Sequence, residues 1–199
     1  MRLTKILTEE HRVIEVMLIC LDNISKKANS SGKLDEESVA QAIDVIRNFA
    51  DKCHHGKEED HLFATLVDKG MKKEGGPVGQ MLAEHEQGRV FVKGMSDAVP
   101  EATAGNADAL LKFTQNAQGY IHLLRAHIQK EDGILFPMAD KILSEEDQKQ
   151  LVKKIEFVES EQLGLGAHEK YIDIVLSLAN KYGVDVKHIS TDSVNVITK

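Results

Sequence analysis

The sequence predicts an all-α protein, an antiparallel up-down-up-down four-helix bundle with two extra C-terminal helices. Three observations carry that expectation. Aromatics make up only 5% of the 199 residues, Trp is absent and only three Pro interrupt the chain, which suits packed helices better than a β-sandwich. Apolar residues recur at helical spacing in four long segments. The breaks between those segments are short, and short connections between long helices favour antiparallel neighbours.

The first helix is expected over about residues 3–28, with Leu7, Ile14, Leu18 and Leu21 on one stripe and His11 within it; the Asn29-Ser30-Ser31-Gly32 turn ends it. A second starts near Asp35, whose carboxylate suits an N-cap, and runs through Ile43, Ile46, Ala50, His54 and Glu58 to about Gly70. Gly75-Gly76-Pro77 breaks the chain. A third helix places Val78, Met81, His85, Val92 and Met95 inward and is expected to stop before Pro100. The fourth follows Gly105-Asn106, with Leu110 or Leu111, Tyr120, Leu123, Leu124, His127, Glu131 and Ile134 inward, until Pro137 closes or kinks it. Residues 144–161 and 166–182 read as two further helices joined by Leu163-Gly164-Leu165-Gly166, and residues 184–199 as a tail with short extended segments. The division expected is a bundle over residues 1–142 and a helical extension, packed on it, over 143–199.

Composition also narrows the function. The length is that of one compact domain with a real core. A formal net charge of −7 and the lack of a long basic run argue against nucleic acid or an anionic membrane as partner. Apolar runs fall short of the ~20 residues that span a bilayer, and Met1–Lys5 begins no signal-peptide core, so a cytoplasmic protein is expected. Cys20 and Cys53 fall on apolar helical positions and read as reduced core thiols rather than a disulfide.

One pattern occurs twice. His54, Glu58, Leu62 and Phe63 repeat as His127, Glu131, Leu135 and Phe136, both copies reading H-x-x-x-E-x-x-x-L-F. Residues i and i+4 share a helix face, so each copy aims an imidazole and a carboxylate at one point. A second acidic residue, Glu59 or Asp132, follows each glutamate, and His11 and His85 add one inward histidine from each remaining helix. With His11, His54, His85 and His127 as terminal ligands and Glu58 and Glu131 as bridges, two metal ions are held, each by two imidazoles and shared carboxylates. Mixed imidazole and carboxylate donors inside a bundle favour iron, with manganese or zinc as substitutes. Metal coordination also removes the several kcal/mol that an unpaired buried carboxylate costs.

The other histidines are weighed separately. His55 shares a face with Asp44 and Asp51, and His122 one with Gln115, Gln118 and Arg125, so both read as surface residues. His61 lies two turns beyond His54 on the same face and reads as a group supporting the ligands, an extra ligand or a rim residue. His168, just after the glycine-rich joint, caps either the site or its own helix, and Glu159 and Glu161 raise the same question. Tyr120 reads as a core tyrosine.

The strings Thr8-Glu9-Glu10-His11, Cys53-His54-His55-Gly56-Lys57-Glu58-Glu59, Glu84-His85-Glu86-Gln87-Gly88-Arg89 and His127 to Pro137 together resemble the hemerythrin-like, cation-binding HHE family over about residues 3–140. The resemblance implies an antiparallel four-helix bundle around a non-haem, carboxylate-bridged di-iron centre. Oxygen-carrying hemerythrins have a further histidine where this chain has Arg89, so the four-histidine branch is the nearer one. That branch includes bacterial proteins linked to iron–sulfur repair and nitric oxide reduction. The expected function is therefore binding or reduction of a diatomic ligand, O2 or NO, in oxidative or nitrosative stress response or sensing. The alternatives are an iron store, donor or sensor without turnover, and a purely structural bundle.

Overall fold

The computed structural model describes residues 2–162, 167–187 and 189, with backbone alone for 158–162 and 167. Every regular element in these residues is helical, and there are six helices. Helix α1 is Leu3–Ser31, and Gly32, in the left-handed region at φ 66°, ends it. Helix α2 covers residues 36–68 without a break: α-helical Glu36–Val45, π-helical Ile46–His55 and Glu58–Phe63, and α-helical Ala64–Asp68. Asp35 caps it as expected, accepting from the Ser38 N–H. Helix α3 is Pro77–Thr103. Helix α4 covers residues 107–142 through α-helical Ala107–Lys130, a π-helical turn at Glu131–Leu135 and α-helical Phe136–Ile142. Asn106 caps its first turn by accepting from the N–H groups of Asp108 and Ala109. Helices α5 (Glu145–Gln162) and α6 (Ala167–Tyr182) complete the order. The joint at 163–166 and most of the tail lie outside the described residues, as do the side chains of Glu159 and Glu161.

Two prolines behave differently from expectation. Pro100 does not stop α3, which runs on to Thr103; it sits in the last turn, where one missing N–H costs a single bond. Pro137 does not close α4. The π turn before it shifts the hydrogen-bond register, with the Phe136 N–H bonded to the Glu131 carbonyl, and the proline enters at the start of the next α-helical stretch. The same turn rotates Ile134 out to 57% exposure, against its expected inward place, and of the two leucines offered for the core Leu110 is buried while Leu111 is exposed.

The core is in two parts with a polar layer between them. One apolar cluster holds Val13 to Ile24 of α1, Val39 to Ala50 of α2, Val92 to Ala102 of α3 and Ala109 to Ile128 of α4, with Ile172, Val175 and Leu178 of α6 packed on it. The other holds Leu3 and Leu7, Leu62 to Leu66, Val78 and Met81, and Leu135 to Leu143, with Leu151 and Ile155 of α5. On all four long helices the buried His and Glu residues fall in the gap between these clusters. Helices α5 and α6 thus cover opposite ends, tied down by Lys69–Asp147 and by Lys181–Asp35.

Candidate metal centre

His11, His54, His85, His127, Glu58 and Glu131 are brought together, each no more than 2% exposed. Glu58 faces both halves of the group: Oε1 lies 3.6 Å from His54 Nε2 and Oε2 lies 3.5 Å from His85 Nε2. Glu131 does likewise, with Oε2 3.3 Å from His11 Nε2 and 3.2 Å from His127 Nε2. Each carboxylate therefore touches one histidine of each pair, which is the placement a bridging ligand needs.

The structure adds a residue that periodicity misses. His55 is 4% exposed, not a surface group, and its ring stacks on that of His85 at 3.8 Å. In an α-helix neighbours differ by 100°, so His54 and His55 cannot both face one point. The π-helical stretch, closed by i→i+5 bonds such as Gly56 N–H to Asp51 carbonyl, puts more residues in each turn and narrows that angle. The outcome is two groups of donor atoms mutually within 4.8 Å: His11, His54, Glu58 and Glu131, and His55, Glu58, His85 and His127. His122 is exposed and His61 half-buried, and neither joins these groups.

His11, His54, His85 and His127 are each oriented by a carboxylate from a neighbouring helix. Nδ1 of His54 meets Glu10 at 2.8 Å, Nδ1 of His85 meets Glu59 at 2.7 Å, Nδ1 of His127 meets Glu84 at 2.9 Å and Nδ1 of His11 meets Asp132 at 2.7 Å. The helices are linked α1 to α2, α2 to α3, α3 to α4 and α4 back to α1. Each carboxylate is a chain neighbour of a residue that faces the centre, and each also meets a cation: Lys57 on Glu10, Arg89 on Glu59, Lys130 on Glu84 and Arg12 on Asp132. A carboxylate at Nδ1 fixes the proton there and turns the Nε2 lone pair inward. The repeated Phe completes the pattern, Phe136 stacking on His11 and Phe63 on His85.

The polar atoms left over define what belongs in the centre. His11 Nε2, His54 Nε2, both nitrogens of His55 and all four carboxylate oxygens of Glu58 and Glu131 are buried without a hydrogen-bond partner. Unpartnered buried groups of this kind are costly. Burial, and then the charge of Glu131, push the Glu58 carboxyl well up. Burial also pushes Glu131 up, but His127 and His11 outweigh it and hold that group well down. Burial lowers His54 to about 4 and carries His55 well down, which favours the neutral ring that a metal ligand needs. Two cations among these atoms would satisfy the carboxylate oxygens and one nitrogen of each ring, and the donor set fits.

Cys53, His168 and Glu10 form a third group, beside the centre rather than in it. Cys53 Sγ is 3.0 Å from His168 Nε2, and Lys57 Nζ lies between the three side chains. Cys20 and Cys53 are both buried and neither is in a disulfide among the described residues, in accord with the core-thiol reading.

The model of the hemerythrin HHE cation binding domain matches residues 2–139. The chain is 21% identical over 178 residues, covering 89% of it and 69% of the relative, to the uncharacterised protein Rv1995 of Mycobacterium tuberculosis and to Mb2018 of Mycobacterium bovis. No solved structure matches it. Among the described residues no helix is long and apolar enough to cross a membrane. With 138 consecutive positions matched and the buried histidine and glutamate layer lying inside them, this chain belongs to the hemerythrin HHE cation-binding domain family.

Proposed function

We propose that the protein is a cytoplasmic non-haem di-iron protein that binds or reduces a diatomic ligand, O2 or NO, in stress response or sensing. The observation that carries the reading is the set of unpartnered buried nitrogen and oxygen atoms converging on one layer. His11 and His54 would hold one ion, and His85 and His127 with the added His55 the other. Glu58 and Glu131 would be shared. Four helices in up-down-up-down order over residues 1–142 would supply this frame, with 143–199 as an extension closing its ends. Manganese or zinc would fit the same donors less well matched to redox work.

A ferrous pair held by these residues would supply the electrons for reducing a diatomic molecule, and the chain's own residues would supply the remainder. The four carboxylate–histidine contacts hold the rings without reorganisation. Phe63 and Phe136 stack on His85 and His11 and give each ring an apolar cover. A cavity of about 160 Å³ between α2 and α3 reaches His55 and His85 from the surface, with Ile46, Val92, Gly88 and Tyr120 among its walls. That volume is ample for a diatomic ligand, since a water takes up ≈ 30 Å³ of liquid. Mixing the ferrous protein with O2 or NO should produce a new visible absorption band within the mixing experiment. An iron-loaded centre inert to both gases that passes iron to an apo iron–sulfur acceptor would select the store or donor reading instead.

A further inference from the structure

The two halves of the chain repeat residue for residue around the centre. Glu10, His11, His54, Lys57, Glu58, Glu59 and Phe63 correspond to Glu84, His85, His127, Lys130, Glu131, Asp132 and Phe136, with the same contacts in each half. Lys57 and Lys130 are equivalent, each bonded to the carboxylate that orients a histidine. Their surroundings are not. One turn before Lys57 stands Cys53, whereas the matching position before Lys130 is Ala126. Lys57 is 4% exposed and Cys53 5%, while the Lys130 side chain is 37% exposed.

The Cys53 group has the residue types of a cation site, since Sγ, a Glu10 oxygen and a His168 nitrogen converge. That position already holds a cation. Lys57 Nζ is bonded to Glu10, lies 3.2 Å from Cys53 Sγ and is 3.4 Å from His168 Nε2. The juxtaposition that remains is a buried thiol and a buried amine in direct contact, one helical turn apart, with His168 Nε2 beside both, 3.0 Å from the sulfur and 3.4 Å from Nζ.

We propose that Cys53 and Lys57 are an oxidative modification site, at which dioxygen links Sγ to Nζ through a single oxygen atom. The S–H bond and one N–H bond of the amine break, and S–O and N–O bonds form. Sulfur and nitrogen each give up two electrons. Dioxygen takes the four, one of its atoms becoming the bridge and the other leaving as water. Starting from the ammonium, one further proton passes to solvent. Sulfur oxidation toward the sulfenyl level is ordinary reversible thiol chemistry, and the adjoining nitrogen captures the oxygen before a second thiol can reach this buried site. The link draws Nζ away from Glu10, the carboxylate that orients His54. The bridge is therefore a covalent input to the metal centre from one half of the repeat only.

Mass spectrometry of the full-length protein tests it. After incubation in air-saturated buffer, a tryptic peptide should retain an uncleaved Lys57 and weigh one oxygen more and two hydrogens less than expected, with cleavage and mass restored by dithiothreitol. Lys57→Gln should abolish the two-hydrogen loss and leave Cys53 oxidised only by whole oxygens or not at all. Gain of oxygen without loss of hydrogen, loss of hydrogen without oxygen, or an unmodified peptide in the wild-type protein would each overturn the proposal. The wild-type result stands even if the variant fails to fold, and it holds whichever metal the centre binds.

Discussion

Asp132, near the end of α4, accepts a 2.7 Å hydrogen bond from Nδ1 of His11 on α1, and this contact closes the cycle of carboxylates that orients all four original histidines. Asp132 touches no other inward donor, so its work is to aim one ring. Asp132→Ala should lower metal affinity roughly 10–100-fold, read by competition with a chelator of known strength. The exposed Asp60 provides the control, and Asp60→Ala should leave affinity unchanged. Equal affinities in the two variants would refute the orienting role.

His55 is the residue that distinguishes the two donor groups, since the equivalent place in the second half is Ile128. His55→Ala should leave the His11 and His54 group intact and loosen the other. Chelator titration should then resolve one tight and one weakened ion, where the wild-type protein holds both tightly. An unchanged titration would remove His55 from the ligand set.

Much of this was legible in the sequence. The duplicated H-x-x-x-E-x-x-x-L-F spacing and the four inward histidines follow from α-helical periodicity, and the structure places all six residues together. His55 and Ile134 depart from α-helical periodicity for a single reason. Both lie in π-helical turns, where the 100° rule fails, and nothing in the local residue types marks those turns. The orienting carboxylates did leave a signal: Glu10-His11, Glu58-Glu59, Glu84-His85 and Glu131-Asp132 each pair an inward donor with an acidic neighbour. Which helix each neighbour serves is a matter of three-dimensional packing, and spacing along one chain does not contain it.

The metal-free centre keeps two carboxylates without partners, so the ions should stabilise the fold. A ligand at 1,000 times its Kd contributes about 4.1 kcal/mol, or roughly 8–16 °C in Tm for a chain of this size. Chelation of both ions should lower Tm by at least that amount. Glu58→Gln should remove the response to metal and leave the metal-free protein about as stable as the wild type, because burial and the Glu131 charge already push Glu58 toward its uncharged form. A structural bundle predicts instead no chelator effect and a destabilising Glu58→Gln.

The cavity beside His55 and His85 has Gly88 on its wall, with Tyr120 at ordinary contact distance of 3.6 Å from where a Cβ would stand. Gly88→Leu should fill it. The association rate of NO with the ferrous protein should fall by about tenfold or more, an added barrier of about 1.4 kcal/mol, with iron content unchanged. An unaltered rate would show that ligands arrive by another path.

Cys20 gives a pH dependence far from the centre. Burial pushes its thiol from 9.0 up to about 11. The unfolded chain then loses this proton before the folded one does. The resulting stability is complete below pH 9.0 and is lost as pH rises to about 11, on the order of 2–3 kcal/mol at about 1.4 kcal/mol for each pKa unit. Cys20→Ala should flatten the fall in denaturant midpoint across that window. An equal slope in both proteins would contradict it.

The most direct measurement is metal per chain, by elemental analysis of protein purified from iron-replete cells without a metal-affinity tag, alongside Glu58→Ala and Glu131→Ala. The wild-type protein should carry close to two iron atoms, the number held by related di-iron carboxylate bundles, and each variant should lose most of them. A wild-type protein with no iron after reconstitution under reducing conditions, or variants that retain the full complement, would contradict the reading of this buried layer as a di-iron centre.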